Sequence, residues 1–278
     1  MLTRLWAAHD MPFEWNPNRV LLRNREGLTR VKRLGQFLQL TVTAPGTADP
    51  VKLLWGNGDG RDLAREFATV PTVLRTDPVT LQHLDSLRDA LPFATLPAPA
   101  FNDYLYDLPE QTRMKGKRFA RRRNQLRSLE RSFTVAEGVP LDLSHRSVVA
   151  QINRIHEGWL RERDNSPSIQ DEQRALQCCL SGGGNNPSMH GVGLVLDDSL
   201  VGFAIYDVIG EHAAAHFVKS ALESSVVAGT WHAMFDAALY AGARILNGGY
   251  DGGLIGLRTA KRNLVPHHCR DSTLVVLN

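Results

Sequence analysis

Residues 113–131 read RMKGKRFARRRNQLRSLER, nine Lys or Arg against a single carboxylate, Glu130. Apart from Gly116 these residues favour helix. Phe119, Leu126 and Leu129 recur at helical spacing, so the stretch predicts one helix with a narrow buried edge and a broad basic face. Surface helices usually mix signs at i and i+4, because like charges there cost a few tenths of a kcal/mol. Here Lys117 with Arg121, Arg118 with Arg122, and Arg123 with Arg127 are all like pairs. An anion against the helix relieves that repulsion, and the phosphates of nucleic acid, a nucleotide or a lipid headgroup qualify.

Around this segment the composition is that of an ordinary globular chain. Of 278 residues, 43% are hydrophobic and 22% charged, enough for one large core or two lobes. The net charge is only +3, so the basic character is local to the central segment. Cys178, Cys179 and Cys269 cannot build a disulfide framework, which predicts a reducing, cytoplasmic setting. The opening MLTRLWAAHDMPFEW lacks the apolar core of a signal peptide. No apolar run reaches the roughly 18 residues that a membrane-spanning helix needs. Peripheral contact through the basic segment remains open.

On the N-terminal side, 19–23, 36–43, 51–55, 71–75 and 102–108 read as strands, with helices at 61–69 and 78–91. GNGDG at 56–60 is neither a Walker loop nor a dinucleotide fingerprint, and Asp59 would repel phosphate, so it reads as a turn. On the C-terminal side, apolar spacing predicts helices over 147–163 and 170–180. Strands follow at 192–196 and 200–208 about an Asp197-Asp198-Ser199 hairpin turn, then at 213–219. A helix from about Thr230 to Tyr240, a strand at 243–246, a short helix at 257–263 and a strand at 273–277 complete the chain. Three strands, helix, strand, helix, strand occurs twice. That order resembles the acetyltransferase-like (GNAT) fold and predicts a tandem α/β protein with mixed sheets. Its expected parts are an N-terminal lobe at 1–112, a basic connecting helix at 113–132 and a site-bearing C-terminal lobe at 133–278.

The candidate site is NGGYDGGLIGLRTAK, residues 247–261. Its glycines permit positive φ and close backbone approach. Asp251 supplies a carboxylate, and Arg258 and Lys261 share a helix face. The pattern suits a zwitterionic or phosphate-bearing ligand, and equally a structural Asp251–Arg258 salt bridge. His267, His268 and Cys269 are contiguous and cannot all reach one tetrahedral centre, so no metal is expected. Cys178 and Cys179 read as core filling.

Two blocks together resemble the aminoacyltransferase domain of phosphatidylglycerol lysyltransferases and its soluble bacterial relatives. One is DYLY at 103–106 with KGKRFARRRN at 115–124. The other is N-x-x-x-D-x-G-x-x-G-L-R-x-x-K, carried by Asn247, Asp251, Gly253, Gly256, Leu257, Arg258 and Lys261. Two carboxylates of the family pattern are absent. Gly249 stands where Glu usually follows the Asn, and the strand reads His216-Phe217-Val218-Lys219 where the family has H-x-E-K.

The resemblance implies transfer of an aminoacyl group from aminoacyl-tRNA, as co-substrate, to an amine or hydroxyl acceptor, with no bound cofactor. Asp251, Arg258 and Lys261 would be catalytic, Asp251 either taking the acceptor's proton or holding its ammonium. Asn247, His216, Lys219 and Gly253 would bind substrate. Lys115, Lys117, Arg118, Arg121, Arg122, Arg123, Asn124 and Arg127 would meet the RNA. The acceptor could be a small molecule, a peptide or a lipid headgroup. An acyl-CoA-dependent enzyme is the main rival, although the segment where CoA's pyrophosphate would bind, SSVVAGTWHA at 224–233, has one glycine and no Lys or Arg. A ligand-binding protein on the same fold is the third possibility.

Overall fold

The computed structural model describes residues 13–23, 29–42, 51–56, 72–86, 88–89, 92–163, 166–182, 188–221 and 223–277. The expected helix at 61–69 and the turn beyond Gly56 lie outside these residues. The first strands are β1 (Thr29–Leu34), β2 (Phe37–Val42), β3 (Val51–Gly56), β4 (Thr72–Thr76), β5 (Phe93–Pro97) and β6 (Asp103–Asp107). They are followed by β7 (Ala136–Leu141), β8 (Met189–Leu196), β9 (Ser199–Ile209), β10 (His212–Ser220), β11 (Ile245–Asn247), β12 (His268–Arg270) and β13 (Thr273–Leu277). The described helices are α1 (Pro17–Arg23), α2 (Pro78–Asp85), α3 (Leu108–Arg113), α4 (Ala120–Ser132), α5 (Arg146–Leu160), α6 (Pro167–Gly182), α7 (Ser224–Tyr240) and α8 (Ile255–Asn263).

Two mixed sheets form, in the orders β1-β2-β3-β4-β13-β5 and β12-β6-β11-β10-β9-β8-β7. This is the tandem GNAT-like architecture expected from the element order. The sheets do not part at the connecting segment, however. β13, the last strand, lies between β4 and β5 of the first sheet, and β6 lies between β12 and β11 of the second. The strand content of each sheet therefore departs from a division into 1–112 and 133–278. Each half contributes a strand to the other's hydrogen-bond ladder, and such pairing between distant segments leaves no local sequence pattern.

The connecting segment is also not one helix. Asp107 caps α3 by accepting from the Glu110 amide at 2.8 Å, Pro109 lies in its first turn, and the helix ends at Met114 in the left-handed region (φ 45°). Gly116 (φ 91°) turns the chain into a short 3-10 turn, Lys117–Phe119, before α4 begins. Phe119, Leu126 and Leu129 form the buried edge as expected. Residues 19–23, expected as a strand, belong to α1. The Asn16 side chain accepts from the Asn18 and Arg19 amides, both at 3.0 Å, and Pro17 occupies the first helical position.

The second sheet has two differently covered faces. Tyr104, Tyr106, Tyr206, Ala213, Ala215 and Leu246 pack beneath Trp231, Met234 and Phe235 of α7. On the other face Phe203, Ile205 and Phe217 meet Ile152 of α5 and Leu176 and Cys179 of α6. Ile209 and Ala214 instead pack against Phe13, Trp15, Leu38, Leu40 and Leu53, which joins the two sheets through one core. Each large side chain buried there contributes about 1.5–3 kcal/mol. Among the described residues no helix is long and apolar enough to cross a membrane.

Candidate functional site

The glycine-rich loop leaves the end of β11 and returns into α8. Asp251 is buried with both carboxylate oxygens engaged. Arg258 donates to them through Nε (2.8 Å) and Nη2 (3.1 Å), the Tyr104 hydroxyl donates at 2.7 Å, and the Gly253 amide at 2.8 Å. Burial alone would raise the Asp251 pKa, but the donors from Arg258, Tyr104 and Gly253 outweigh it and hold the carboxyl below its ordinary range. The Tyr104 phenol is raised, by burial first and by Asp251 second.

Lys261 is also buried. Its ammonium donates to the carbonyls of Gly248 and, at 2.8 Å, Tyr250, so it closes the loop from within. The amides of Gly248, Gly249, Gly252 and Gly253 are all donors to nearby oxygens. Of the three expected catalytic residues, Arg258 reaches the surface, with 32% of its side chain exposed.

Asn247 fixes the loop's other end. Its Oδ1 accepts from the Gly249 amide at 2.8 Å, and its Nδ2 donates at 3.0 Å to Asp103, which also accepts from the Phe13 amide at 2.8 Å. Gly249 has φ 67°, and a Cβ added there would lie 2.9 Å from two ring carbons of Phe13. The space that the family's glutamate would require is therefore taken by an N-terminal aromatic ring. The second absent carboxylate, at Val218, is replaced by an apolar side chain packed against the core under α7.

Two expected substrate-binding residues bond to partners outside the loop, although the His216 ring lies 6.0 Å from the Phe13 ring that packs against Gly249. His216 is buried and bonded to Asp207 at 3.0 Å, in a network where Asn16 and Asn18 also donate to Asp207, at 3.1 and 2.7 Å. Lys219 pairs with Glu172 at 2.7 Å and lies 3.6 Å from the Trp159 ring centroid, on the face covered by α5 and α6. Neither is brought to Asp251. The bulge between Ala215 and Phe217 turns His216 toward Asp207, a detail that strand alternation does not reveal.

The basic segment divides in two. Lys115, Lys117, Arg118, Arg121, Asn124 and Arg127 are exposed and Arg123 is half-buried, while Arg122 is only 1% exposed. Arg122 bonds to Gln111, approaches His232 Nδ1 at 3.3 Å and lies over the Phe235 ring at 4.7 Å. Burial pulls its pKa down to about 10, although Asp236 and Tyr106 counter that effect. Arg122 is therefore a core residue, removed from the surface where RNA phosphates would lie. Arg118 pairs with Glu110, whereas Lys115, Lys117, Arg121, Arg123 and Arg127 have no carboxylate partner among the described residues.

One contact joins the basic segment to the loop. Arg121 donates to Asn263 Oδ1 at 3.1 Å, at the end of α8. Arg262 is exposed one residue earlier, and Arg258 lies four residues before it on the same helix face. Arg121, Arg262 and Arg258 thus continue the basic surface of α4 to the mouth of the loop. Arg262 was not among the expected site residues, and its i+4 spacing from Arg258 was the available signal. Leu254 and Ile255, 63% and 79% exposed, flank the same mouth.

This arrangement can bind a polyanion along α4 and α8 and present one guanidinium, aligned by Asp251, to a reacting group. The family model described as phosphatidylglycerol lysyltransferase, C-terminal, matches residues 58–271. No curated protein sequence matches the chain. A conserved protein of unknown function from Bacteroides thetaiotaomicron superposes with a TM-score of 0.81 at 19% identity, covering 100% of this chain and 95% of its own. A C-terminal domain of the DUF2156 type from Agrobacterium fabrum gives 0.67 at 16%, covering 100% and 90%. L-PGS from Bacillus licheniformis gives 0.62 at 12%, covering 94% and 92%. These three are likenesses of fold, and the family match spans most of the chain including the basic segment and the glycine-rich loop. The chain belongs to the family of phosphatidylglycerol lysyltransferase C-terminal domains.

Proposed function

We propose that the protein moves an aminoacyl group from aminoacyl-tRNA to an amine or hydroxyl acceptor. The observation that carries this reading is the set of exposed cations on α4, joined through the Arg121–Asn263 contact to exposed Arg262 and half-buried Arg258 on α8. A polyanion gripped along α4 would have its reactive end delivered beside Arg258. In the transfer, the acceptor's nitrogen or oxygen forms a bond to the aminoacyl carbonyl and the ester bond to the terminal ribose breaks. The acceptor's proton ends on the ribose oxygen.

Because the donor ester is already activated, positioning and stabilisation of the developing oxyanion supply most of the catalysis. Arg258 is the group suited to that oxyanion, and Asp251 aligns it through two hydrogen bonds. With its pKa lowered and both oxygens engaged, Asp251 is better suited to orienting Arg258 than to taking a proton. The exposed Leu254 and Ile255 favour an acceptor with an apolar part, and a lipid headgroup or a modified peptide both fit.

Coenzyme A is the weaker donor. Glu223 stands at the N-cap position of α7, where the pyrophosphate would bind in an acyl-CoA enzyme, and it carries the same sign of charge. The reading is tested with a pool of radiolabelled aminoacyl-tRNAs and candidate acceptors. Label leaving the RNA and appearing on an acceptor, about a hundredfold more slowly with Arg258→Ala, supports it. Acyl transfer to the same acceptors from labelled acetyl-CoA in place of charged tRNA, or no acceptor-dependent discharge at all, overturns it.

A further inference from the structure

A large open space lies along α7, away from the residues that form the glycine-rich loop. It is a groove of about 1070 Å³ between the second half of α7, α4 and the strands β7 and β8. On the sheet-facing side of α7, Trp231 and Phe235 pack against Tyr106 with ring centroids 5.9 and 5.3 Å away, and 5.7 Å from each other. The walls are mainly apolar, among them Leu126, Leu129, Leu141, Met189, Val192 and Ala237.

The charges are one-sided. Among the described residues, Glu130, Asp142 and Asp236 line the groove and no Lys or Arg does, although one wall comes from 113–131, the most basic segment in the chain. The histidines present, His190 and His232, are both shifted toward the neutral form, by burial first in each case. The Tyr206 hydroxyl lies at the same surface with no hydrogen-bond partner among the described residues. Arg122 sits behind His232, bonded to Gln111, and Asp236 lies 3.6 Å from His232 Nε2; burial raises the Asp236 carboxyl first, while His232 and Arg122 favour its charged form.

An apolar trough edged by carboxylates repels phosphate and carboxylate headgroups and attracts a cation with a hydrocarbon body. We infer that this groove is a second ligand site and that it takes an amphiphilic amine, its ammonium at Asp236 and Glu130 and its apolar portion between α7 and β8. The inference does not rest on the transferase reading, since it involves neither the glycine-rich loop nor the exposed cations of α4.

The test is calorimetric titration of the full chain with octylammonium, octanoate and octanol at one ionic strength. Octylammonium binding about tenfold or more tighter than octanoate is expected. Asp236→Asn should weaken octylammonium about fivefold, as loss of one partly exposed charge pair does, and leave octanol unchanged. Glu130→Gln, at an exposed position, provides the same reading if Asp236→Asn fails to fold. Ala237→Phe should abolish binding of both octylammonium and octanol with its thermal melt retained. Octanoate binding as tightly as octylammonium, absence of octylammonium binding, or octylammonium affinity indifferent to the acid substitutions would overturn the assignment.

Discussion

Arg121 donates to Asn263 at 3.1 Å, so the first turn of the basic helix is fastened to the last residue of the helix that carries Arg258 and Lys261. The cations on either side of this contact have different work. Arg122, the next residue, points inward and is consumed by Gln111, His232 and Phe235, while Arg127 points outward with no carboxylate partner among the described residues. Charge density in the sequence does not distinguish them.

Arg122 should act on stability. Arg122→Ala leaves the Gln111 side-chain acceptor buried without its donor and opens a cavity beside Phe235, so a loss of about 2–4 kcal/mol in denaturant unfolding is expected. Arg127→Ala, at the surface, should change unfolding by less than about 0.5 kcal/mol. Equal stability of the two variants would contradict the division.

Gly249 should reject a side chain because of Phe13. Gly249→Glu, which restores the family's residue, forces a left-handed backbone on a non-glycine, costing about 1–2 kcal/mol, and meets the Phe13 ring as well. Its thermal midpoint should fall, and adding Phe13→Ala should lower it by less than the sum of the two single changes. Strict additivity of the melts would show that Phe13 does not occupy that space.

Asp251 should make the fold acid-sensitive. Its carboxyl is held below the ordinary range, so the ionised form is favoured by folding. That contribution is complete above about pH 4, the unfolded value, and is lost as pH falls through the lower folded value. Asp251→Asn should therefore melt below the wild type at pH 7, and the gap should narrow as pH drops below about 4. A gap that stays constant with pH would contradict the assignment.

Much of the site was legible because its spacing is local. Asp251, Arg258 and Lys261 fall within eleven residues, and of the two readings that this spacing allowed, a ligand site or a structural salt bridge, the Asp251–Arg258 pair is present. What spacing could not reveal is that Lys261 would be buried against two carbonyls, which leaves Arg258 as the member of the trio at the surface. The β8–β9 hairpin was likewise local. Asp197 and Asp198 take φ 43° and 67°, as a tight two-residue turn requires.

Other features were hidden for identifiable reasons. β1 is an edge strand carrying Arg30, Lys32 and Arg33, so it shows little apolar alternation, although Gly35 marks its hairpin. α7 begins at Ser224, earlier than expected, because the β-branched Val226 and Val227 and Gly229 weaken the helical signal where the segment is buried. β6 and β13 were both anticipated as strands, but their partners lie far away in sequence and only the assembled sheets reveal them.

The central claim is that the exposed cations of α4 and its approach are an RNA cradle leading to Arg258. It is tested most directly by the salt dependence of charged-tRNA binding for the wild type and for Lys117→Glu with Arg121→Glu and Arg127→Glu. Wild-type affinity should fall with salt, with a slope of about 0.7–0.9 per phosphate neutralised, and the triple variant should bind at least about tenfold more weakly at low salt with a flatter slope. Identical affinity and slope for the two proteins would contradict it.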